Sequence, residues 1–416
     1  MKNDKWKVSE RTRMRGKACL LALFLILGSL TGVTASAAED AESKVGSLYA
    51  LSAVLMDGET GRVLLGKEED VARPMASTTK ILTCIIALEN GNLDDVVTVS
   101  KEAQSQPKVH AGLQENEMYF LEDLLHSLML ESHNDSAVAI AEHLGGSVEG
   151  FAEIMNKKAK EIGCENANFV TPNGLDEENE NGKHSISASD LALIMRYCVT
   201  QSPKAEKFIE ITQTRSYQFQ EITGKRTVSC TNYNAFLDMM DGVISGKTGF
   251  TGEAGYCYVC AVEQKGKTLI VALLGCGWPS NKTYKWSDTK KLLTYGMENY
   301  EYEDIPNIAS TPEIPVENGI PQNEELLSES MVKTEMAKEE QQILKSADEK
   351  ITAKMEYQKS LTAPVEEGTV IGRVTYFIGD DQIMEQEIKT ADSVKKRNLK
   401  WYLEKLSEKY IEFKIF

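Results

Sequence analysis

The stretch Gly255-Tyr256-Cys257-Tyr258-Val259-Cys260-Ala261-Val262-Glu263-Gln264-Lys265-Gly266-Lys267-Thr268-Leu269-Ile270-Val271-Ala272-Leu273-Leu274-Gly275 holds two apolar runs of strand length around five polar residues, the pattern of a hairpin. Far upstream, Leu51 to Met56 reads as another strand, Asp57-Gly58-Glu59-Thr60-Gly61 supplies turn residues, and Arg62 to Leu65 returns. Between these strand-rich ends, apolar residues recur at spacings of three and four, which predicts helices over Lys80 to Leu88, Leu121 to Leu130, Asp135 to Leu144, Val148 to Ile162 and Ala188 to Cys198. A further helix is expected from Thr283 to about Glu298. Strands first, helices in the middle, strands and a helix last: this order predicts an α+β unit, spanning 48–300, whose terminal strands share one sheet.

The rest of the chain is organised around that unit. With 416 residues, 42% of them hydrophobic, there is apolar material for one large domain and at least one smaller one. Lys plus Arg number 46 against 63 for Asp plus Glu, a net charge of -17, which argues against a nucleic-acid partner bound through phosphate neutralisation. Eight scattered cysteines do not make a disulfide scaffold. Five histidines without helical metal spacing leave no metal site to expect. Lys2, Lys5, Lys7, Arg11, Arg13, Arg15 and Lys17 precede an apolar run from Ala18 to about Val33 and the small residues Thr34-Ala35-Ser36-Ala37-Ala38. Residues 1–37 therefore read as a removable secretion signal, the alternative being an uncleaved anchor.

Downstream, Pro306, Pro312, Pro315 and Pro321 lie in an acidic stretch and mark a boundary. A small β-rich domain is expected over 301–391, with Thr369 to Phe377 and Ile383 to Ile388 as its clearest strands. The last segment, 393–416, carries seven Lys or Arg against three Glu, and Leu399, Tyr402, Leu403, Leu406, Tyr410 and Phe413 follow helical spacing. Two readings stand: an amphipathic helix docked on its own domain, or one lying on an anionic membrane surface with Trp401 near the headgroups.

The chemistry begins at Ser77-Thr78-Thr79-Lys80, at the start of an apolar helix, where positions three apart share a face. A serine hydroxyl needs a base, and a neutral lysine amine can serve if burial or a nearby cation lowers its pKa. The pattern alone is weak, since Ser105, Ser287, Ser330 and Ser393 also begin Ser-x-x-Lys matches. Two further elements change this: Ser132-His133-Asn134, in a gap between helices, and Lys247-Thr248-Gly249, at the opening of the strand-rich region. A strand with Lys and Thr toward a cleft, and Gly removing bulk, can hold a carboxylate and offer an N–H to a reacting carbonyl.

These three elements resemble those of the penicillin-recognising serine enzymes. Met75-Ala76-Ser77-Thr78-Thr79-Lys80, Asn134-Asp135-Ser136-Ala137, Asn173-Gly174-Leu175-Asp176, Ser187-Ala188-Ser189-Asp190-Leu191-Ala192 and Gly246-Lys247-Thr248-Gly249-Phe250-Thr251 are similar to the low-molecular-mass D-Ala-D-Ala carboxypeptidases, peptidase family S11. The resemblance implies a β-lactamase/transpeptidase-like catalytic domain, an antiparallel sheet with helices. Leu361-Thr362-Ala363-Pro364-Val365 and Gly368 to Gly372 resemble the family's small β-sandwich domain.

By the same resemblance Ser77 is the nucleophile, Lys80 its base and Ser132 the relay of a proton to the leaving D-Ala. Asn134 holds the substrate backbone, Lys247 and Thr248 bind its terminal carboxylate, and the N–H groups of Ser77 and Phe250, beside Gly249, form the oxyanion hole. No metal or cofactor is implied. The implied partners are the peptidoglycan stem peptide ending in D-Ala-D-Ala and β-lactam inhibitors, at an extracytoplasmic site peripheral to the membrane.

Two positions depart from the pattern. Lys285 stands where the family often has an arginine on the carboxylate, which keeps the charge but loses the bidentate fork. His133 replaces a common glycine and carries no assigned role. A class A β-lactamase shares the three motifs but adds a Glu-x-x-Leu-Asn segment, and no Leu-Asn pair occurs between residues 135 and 185. The intact Ser77, Lys80 and Lys247 weigh against an inactive peptidoglycan-binding protein. Cys257 and Cys260, on a strand, are expected to face opposite sides as core cysteines rather than a redox or zinc pair.

Overall fold

The computed structural model describes residues 39–306, 308, 310–337 and 341–415. The expected secretion signal, 1–37, lies outside them. The first unit is built on a six-stranded sheet of β1 (Glu39–Asp40), β2 (Ser52–Asp57), β3 (Val63–Lys67), β4 (Val243–Thr251), β5 (Gly255–Gln264) and β6 (Lys267–Leu274), in the order β1-β3-β2-β6-β5-β4. All neighbours are antiparallel except β1 with β3. The two ends of the unit thus meet where Leu55 of β2 stands opposite Val271 of β6.

The hairpin of β5 and β6 reads as continuous apolar sequence because both faces of the sheet are covered. Cys257, Val259 and Ala261 alternate with Tyr258, Cys260 and Val262, and the two sets fall in separate buried cores. The two cysteines therefore do lie on opposite faces.

The larger core is shared with the middle helices: α2 (Lys80–Asn90), α3 (Leu121–Leu130), α4 (Asn134–Gly145), α5 (Val148–Ile162), α6 (Ala188–Arg196) and α7 (Ala205–Gln213). From Lys80 to Leu88 every residue of α2 is buried, so it is the central helix of this layer. By contrast α5 buries one stripe, Phe151, Ala152, Met155 and Ala159. Its ends are set by a Ser147 cap on the Gly150 N–H and by left-handed Gly163. On the other face of the sheet lies α8 (Tyr284–Asn299), with Leu292, Leu293 and Met297 in the second core.

The described unit starts earlier than the expected residue 48. Strand β1 and the short helix α1 (Ala41–Val45) precede that position, and Ala41 is buried in the second core. A two-residue strand has no period to read, so nothing in the residue pattern announces it. The sequence reading also missed a hairpin of Ser216–Gln220 with Thr227–Thr231.

Strand β7 (Tyr300–Asp304) leaves α8 directly and pairs with the strand Gln342–Ser346 of the second unit. That unit contains β8 (Ile314–Glu317), β9 (Met331–Val332), β10 (Thr334–Met336), β11 (Gln342–Ser346), β12 (Ile351–Tyr357), β13 (Leu361–Thr362), β14 (Val370–Ile378) and β15 (Asp381–Thr390). A three-stranded sheet, β9-β8-β13, and a four-stranded one, β10-β15-β14-β12, bury Ile314, Val316 and Val332 with Val374, Tyr376 and Ile388 in one core. The junction with the first unit is not a bare linker: Tyr300 and Leu344 sit in the second core, and Tyr302 donates to Asp57 at 3.1 Å. Arg62 forms an ion pair with Glu349 and donates to the Leu344 carbonyl at 3.0 Å.

Helix α9 (Leu399–Ile415) ends the described chain. Among the described residues, no helix is long and apolar enough to cross a membrane. Leu403, Leu406 and Tyr410 are exposed, as an amphipathic face requires, but Trp401 is not among them. Of the two readings of the tail, the membrane one placed Trp401 near the headgroups, and this detail is corrected: the residue is buried in the first turn, its main-chain N–H capped by Asn398 at 2.9 Å and its ring 5.3 Å from the Arg397 guanidinium. Where the helix leaves the second unit, the indole belongs to the docked turn rather than to the outward face.

Candidate active site

Four segments of the first unit converge on one point. Ser77 lies in a single 3₁₀ turn, Ala76–Thr79, that runs into α2, so Lys80 follows it by three residues on the same face. Lys80 Nζ is 2.8 Å from Ser77 Oγ, 2.9 Å from Asn134 Oδ1 and 2.6 Å from the Asn173 carbonyl. The amide of Asn134 has a fixed sense, because its Nδ2 donates to the Pro107 carbonyl at 3.1 Å and leaves Oδ1 for Lys80.

The carbonyl and the amide oxygen can only accept, so each takes an N–H of Lys80, and the third position of its nitrogen faces Ser77 Oγ, where the lone pair lies when the amine is neutral. The electrostatics agree. Lys80 is completely buried, and burial, followed by the charge of Lys247, drives its pKa well below the usual lysine value, with Asp135 acting in opposition.

Ser132 sits in the turn between α3 and α4 with a φ of +67°, a left-handed conformation unusual for a residue with a Cβ. That bend carries its hydroxyl to the third segment, where Lys247 Nζ donates to Ser132 Oγ at 2.9 Å. Burial pushes the Lys247 pKa down to about 7. The neighbouring His133 turns the other way, with Nδ1 2.8 Å from the Ser127 hydroxyl and Nε2 3.2 Å from Glu131. Asp135, next along, accepts from the N–H groups of Ala111, Gly112 and Leu113 at 3.0, 2.8 and 3.0 Å and so pins the cleft wall to α4. Arg226, in the hairpin the sequence reading missed, holds the same wall through the Ala111 carbonyl at 2.8 Å.

Strand β4 is the edge of the sheet, and alternation puts Lys247 and Gly249 on one face and Thr248 and Phe250 on the other. Gly249 passes so close to the turn that a Cβ there would fall 2.9 Å from the Ser77 nitrogen. Thr248 and Phe250 stand opposite Tyr258 and Tyr256. Lys285 is on their side, near the start of α8, its ammonium 4.6 Å from the Tyr256 ring centre and its Nζ donating to the Lys282 carbonyl. Burial lowers its pKa to about 8.

The structure thus brings Ser77, Lys80, Ser132, Asn134, Lys247 and Gly249 together, with Lys247 reached through Ser132, and sets the side chains of Thr248, Phe250 and Lys285 on the opposite face of β4. The residue to which sequence reasoning gave no role is Asn173, whose main-chain oxygen is an acceptor for Lys80 and lies 3.3 Å from Ser77 Oγ. Its signal was the turn Pro172-Asn173-Gly174. Among the described residues, no group of three His, Cys, Asp or Glu is arranged to hold a metal.

A family model described as D-alanyl-D-alanine carboxypeptidase matches residues 35–277, and one described as the C-terminal domain of penicillin-binding protein 5 matches residues 330–396. The chain is 29% identical over 371 residues to the D-alanyl-D-alanine carboxypeptidase DacF of Bacillus subtilis, across 88% of this chain and 91% of that one. It is 32% identical over 246 residues to a D-alanyl-D-alanine carboxypeptidase of Mycobacterium tuberculosis, across 59% of this chain and 81% of that one. Among solved structures, penicillin-binding protein 5 of Haemophilus influenzae matches with a TM-score of 0.66 at 28% identity, over 84% of this chain and 98% of that one.

Proposed function

Because the chain belongs to the D-alanyl-D-alanine carboxypeptidase family, a family of serine carboxypeptidases, we propose that Ser77 cleaves the terminal D-Ala from peptidoglycan stem peptides through an acyl-enzyme. The Lys80 lone pair takes the Ser77 proton as Oγ bonds to the carbonyl carbon between the two D-alanines. The oxyanion that results is held by the N–H groups of Ser77 and Phe250. The C–N bond then breaks, and the proton passes by way of Ser132 to the departing amine of D-Ala. Water attacks the ester with Lys80 again accepting a proton, and Ser77 is restored. Asn134 orients the peptide. Its terminal carboxylate lies against the open edge of β4, with Lys247 reaching it from one face and Thr248 from the other, and Lys285, on the Thr248 side, adds charge without a bidentate fork. No step uses a metal or an organic cofactor.

The observation that carries this reading is the buried Lys80 nitrogen, 2.8 Å from Ser77 Oγ and held from its other sides by two fixed acceptors. A penicillin acylates the same serine, but its leaving amine stays tethered, and the chain has no Glu-x-x-Leu-Asn segment to activate the deacylating water, so the ester persists and the drug inhibits. Residues 1–37 as a secretion signal put the enzyme outside the cytoplasm, and α9 rests on the outer face of the membrane.

The test is a labelling experiment with fluorescent penicillin. A stable labelled band that vanishes in Ser77→Ala is expected, together with release of free D-Ala from a synthetic pentapeptide in preference to hydrolysis of a cross-linked dimer. Folded protein that takes no label contradicts the acyl-enzyme, rapid loss of the label indicates a lactamase, and preferred cleavage of the dimer indicates an endopeptidase.

A further inference from the structure

Ala76, just before the nucleophile, has a φ of +50°, in the left-handed region that residues with a Cβ rarely occupy. Its carbonyl and the Ser77 N–H are opposite ends of one planar peptide unit, so whatever aims the carbonyl aims the N–H the other way. Two contacts aim it. The Thr79 hydroxyl is 2.9 Å from the Ala76 oxygen, and Gly174 closes on that same oxygen, where a Cβ would fall 2.0 Å away.

Thr79 leads further in. Its one proton goes to Ala76, so its 2.8 Å contact with His184 Nε2 requires the ring to supply the hydrogen. The far ring nitrogen fits this tautomer: Nδ1 faces the backbone N–H groups of Val170 at 2.9 Å and Thr171 at 3.3 Å, which can only donate. His184 is buried with the edge of Phe169 against it, and burial holds its pKa at about 3. Every link therefore has one polarity: backbone N–H to Nδ1, Nε2–H to Thr79, Thr79 O–H to the Ala76 carbonyl. The relay also fastens the start of the 170–175 loop, which carries the Asn173 carbonyl used by Lys80, to the turn that carries Ser77.

We propose that His184 and Thr79 are positioning residues for the oxyanion hole, a relay that orients the Ser77 N–H without touching substrate. This rests on the acyl-enzyme reading of Ser77. A side chain that merely filled space would be replaceable by an isostere, whereas a relay needs the hydroxyl. It also predicts that the loss is confined to the chemical step, because the N–H binds charge that develops only in the transition state.

The experiment compares the wild type with Thr79→Val, Thr79→Ser, His184→Phe and the Thr79→Val/His184→Phe double variant, using release of D-Ala from a peptide ending in D-Ala-D-Ala and acylation by fluorescent penicillin. Thr79→Val, of the same shape as threonine, should lower kcat and the acylation rate roughly 10- to 100-fold with KM within about twofold, as for a slightly misaimed oxyanion donor. Thr79→Ser should recover the rate to within about threefold, since it restores the donor. The double variant should be no slower than the slower single one, because the two residues act as one unit. Thr79→Val at the wild-type rate, a defect in KM alone, no rescue by serine, or losses that multiply in the double variant each overturn the proposal. If His184→Phe does not fold, the Thr79→Val and Thr79→Ser pair decides alone. A wild type that neither takes label nor releases D-Ala fails at the underlying reading and overturns both; an active wild type with an equally active Thr79→Val overturns only the relay.

Discussion

Lys80 and Lys247 are both buried, yet their neighbours give them different work. Lys80 donates to Asn134 and Asn173 and turns the third position of its nitrogen to Ser77, while Lys247 donates to Ser132 and adds a cation that further lowers the Lys80 pKa. The sign of that coupling is testable. In the proposed mechanism Lys80 must be neutral to act as base, so the rate of acylation should rise with pH through its pKa. Removing the Lys247 charge lets that pKa climb back toward the lysine norm, and in Lys247→Gln the acid limb of penicillin labelling should move to higher pH. A limb that stays in place or moves to lower pH contradicts the coupling. The Ser77 and Lys80 pair was legible in sequence because helical spacing of three fixes their contact. The Asn173 acceptor was not, since every residue has a carbonyl and only the folded loop decides which one is aimed at an amine.

At the scale of elements, the Ser77 turn, the bend at Ser132 and the edge strand β4 must approach within ordinary contact distance, and glycines make room for this. A Cβ at Gly249 would lie 2.9 Å from the Ser77 nitrogen and 3.0 Å from the Met75 carbonyl, both backbone atoms that cannot turn aside. Gly249→Ala should therefore push β4 off the turn and lower kcat by roughly 10-fold or more, as a 1 Å misplacement does. Its thermal midpoint should fall only a few degrees, since the contact is one local overlap at a sheet edge. Steady-state kinetics beside a melting curve checks this, and wild-type kcat refutes the tight approach. The long helices and the β5–β6 hairpin could be read from periodicity because burial imposes it. The left-handed residues Ala76 and Ser132 could not, because neither is glycine and their conformation is forced by the contacts around them. The hairpin of Ser216–Gln220 and Thr227–Thr231 was within reach: Tyr217 and Phe219, then Val228 and Cys230, alternate with polar residues at period two.

Across the whole molecule, charge and exposure separate. The chain carries a net -17, whereas the segment 393–416 has four more basic than acidic residues, and α9 exposes Leu403, Leu406 and Tyr410 beyond its docked first turn. A chain ending at residue 396 should keep its D-Ala release on a soluble peptide and lose its flotation with vesicles rich in anionic lipid, while the full mature chain floats; equal flotation of the two rejects the surface-bound tail. The sequence left the tail open between docking and membrane because helical spacing marks an apolar face without saying what covers it, and burial of Trp401 answers for one turn only. The seven cysteines of the described residues carry a different lesson. All are unpaired thiols, six of them buried and Cys164 partly so, and burial holds each in its protonated, unreactive form. The native fold is thus its own antioxidant: a folded sample should tolerate air, but a denatured one exposes these seven sulfurs, which can cross-link at random, so recovery from urea should depend on a reductant being present before the chain collapses.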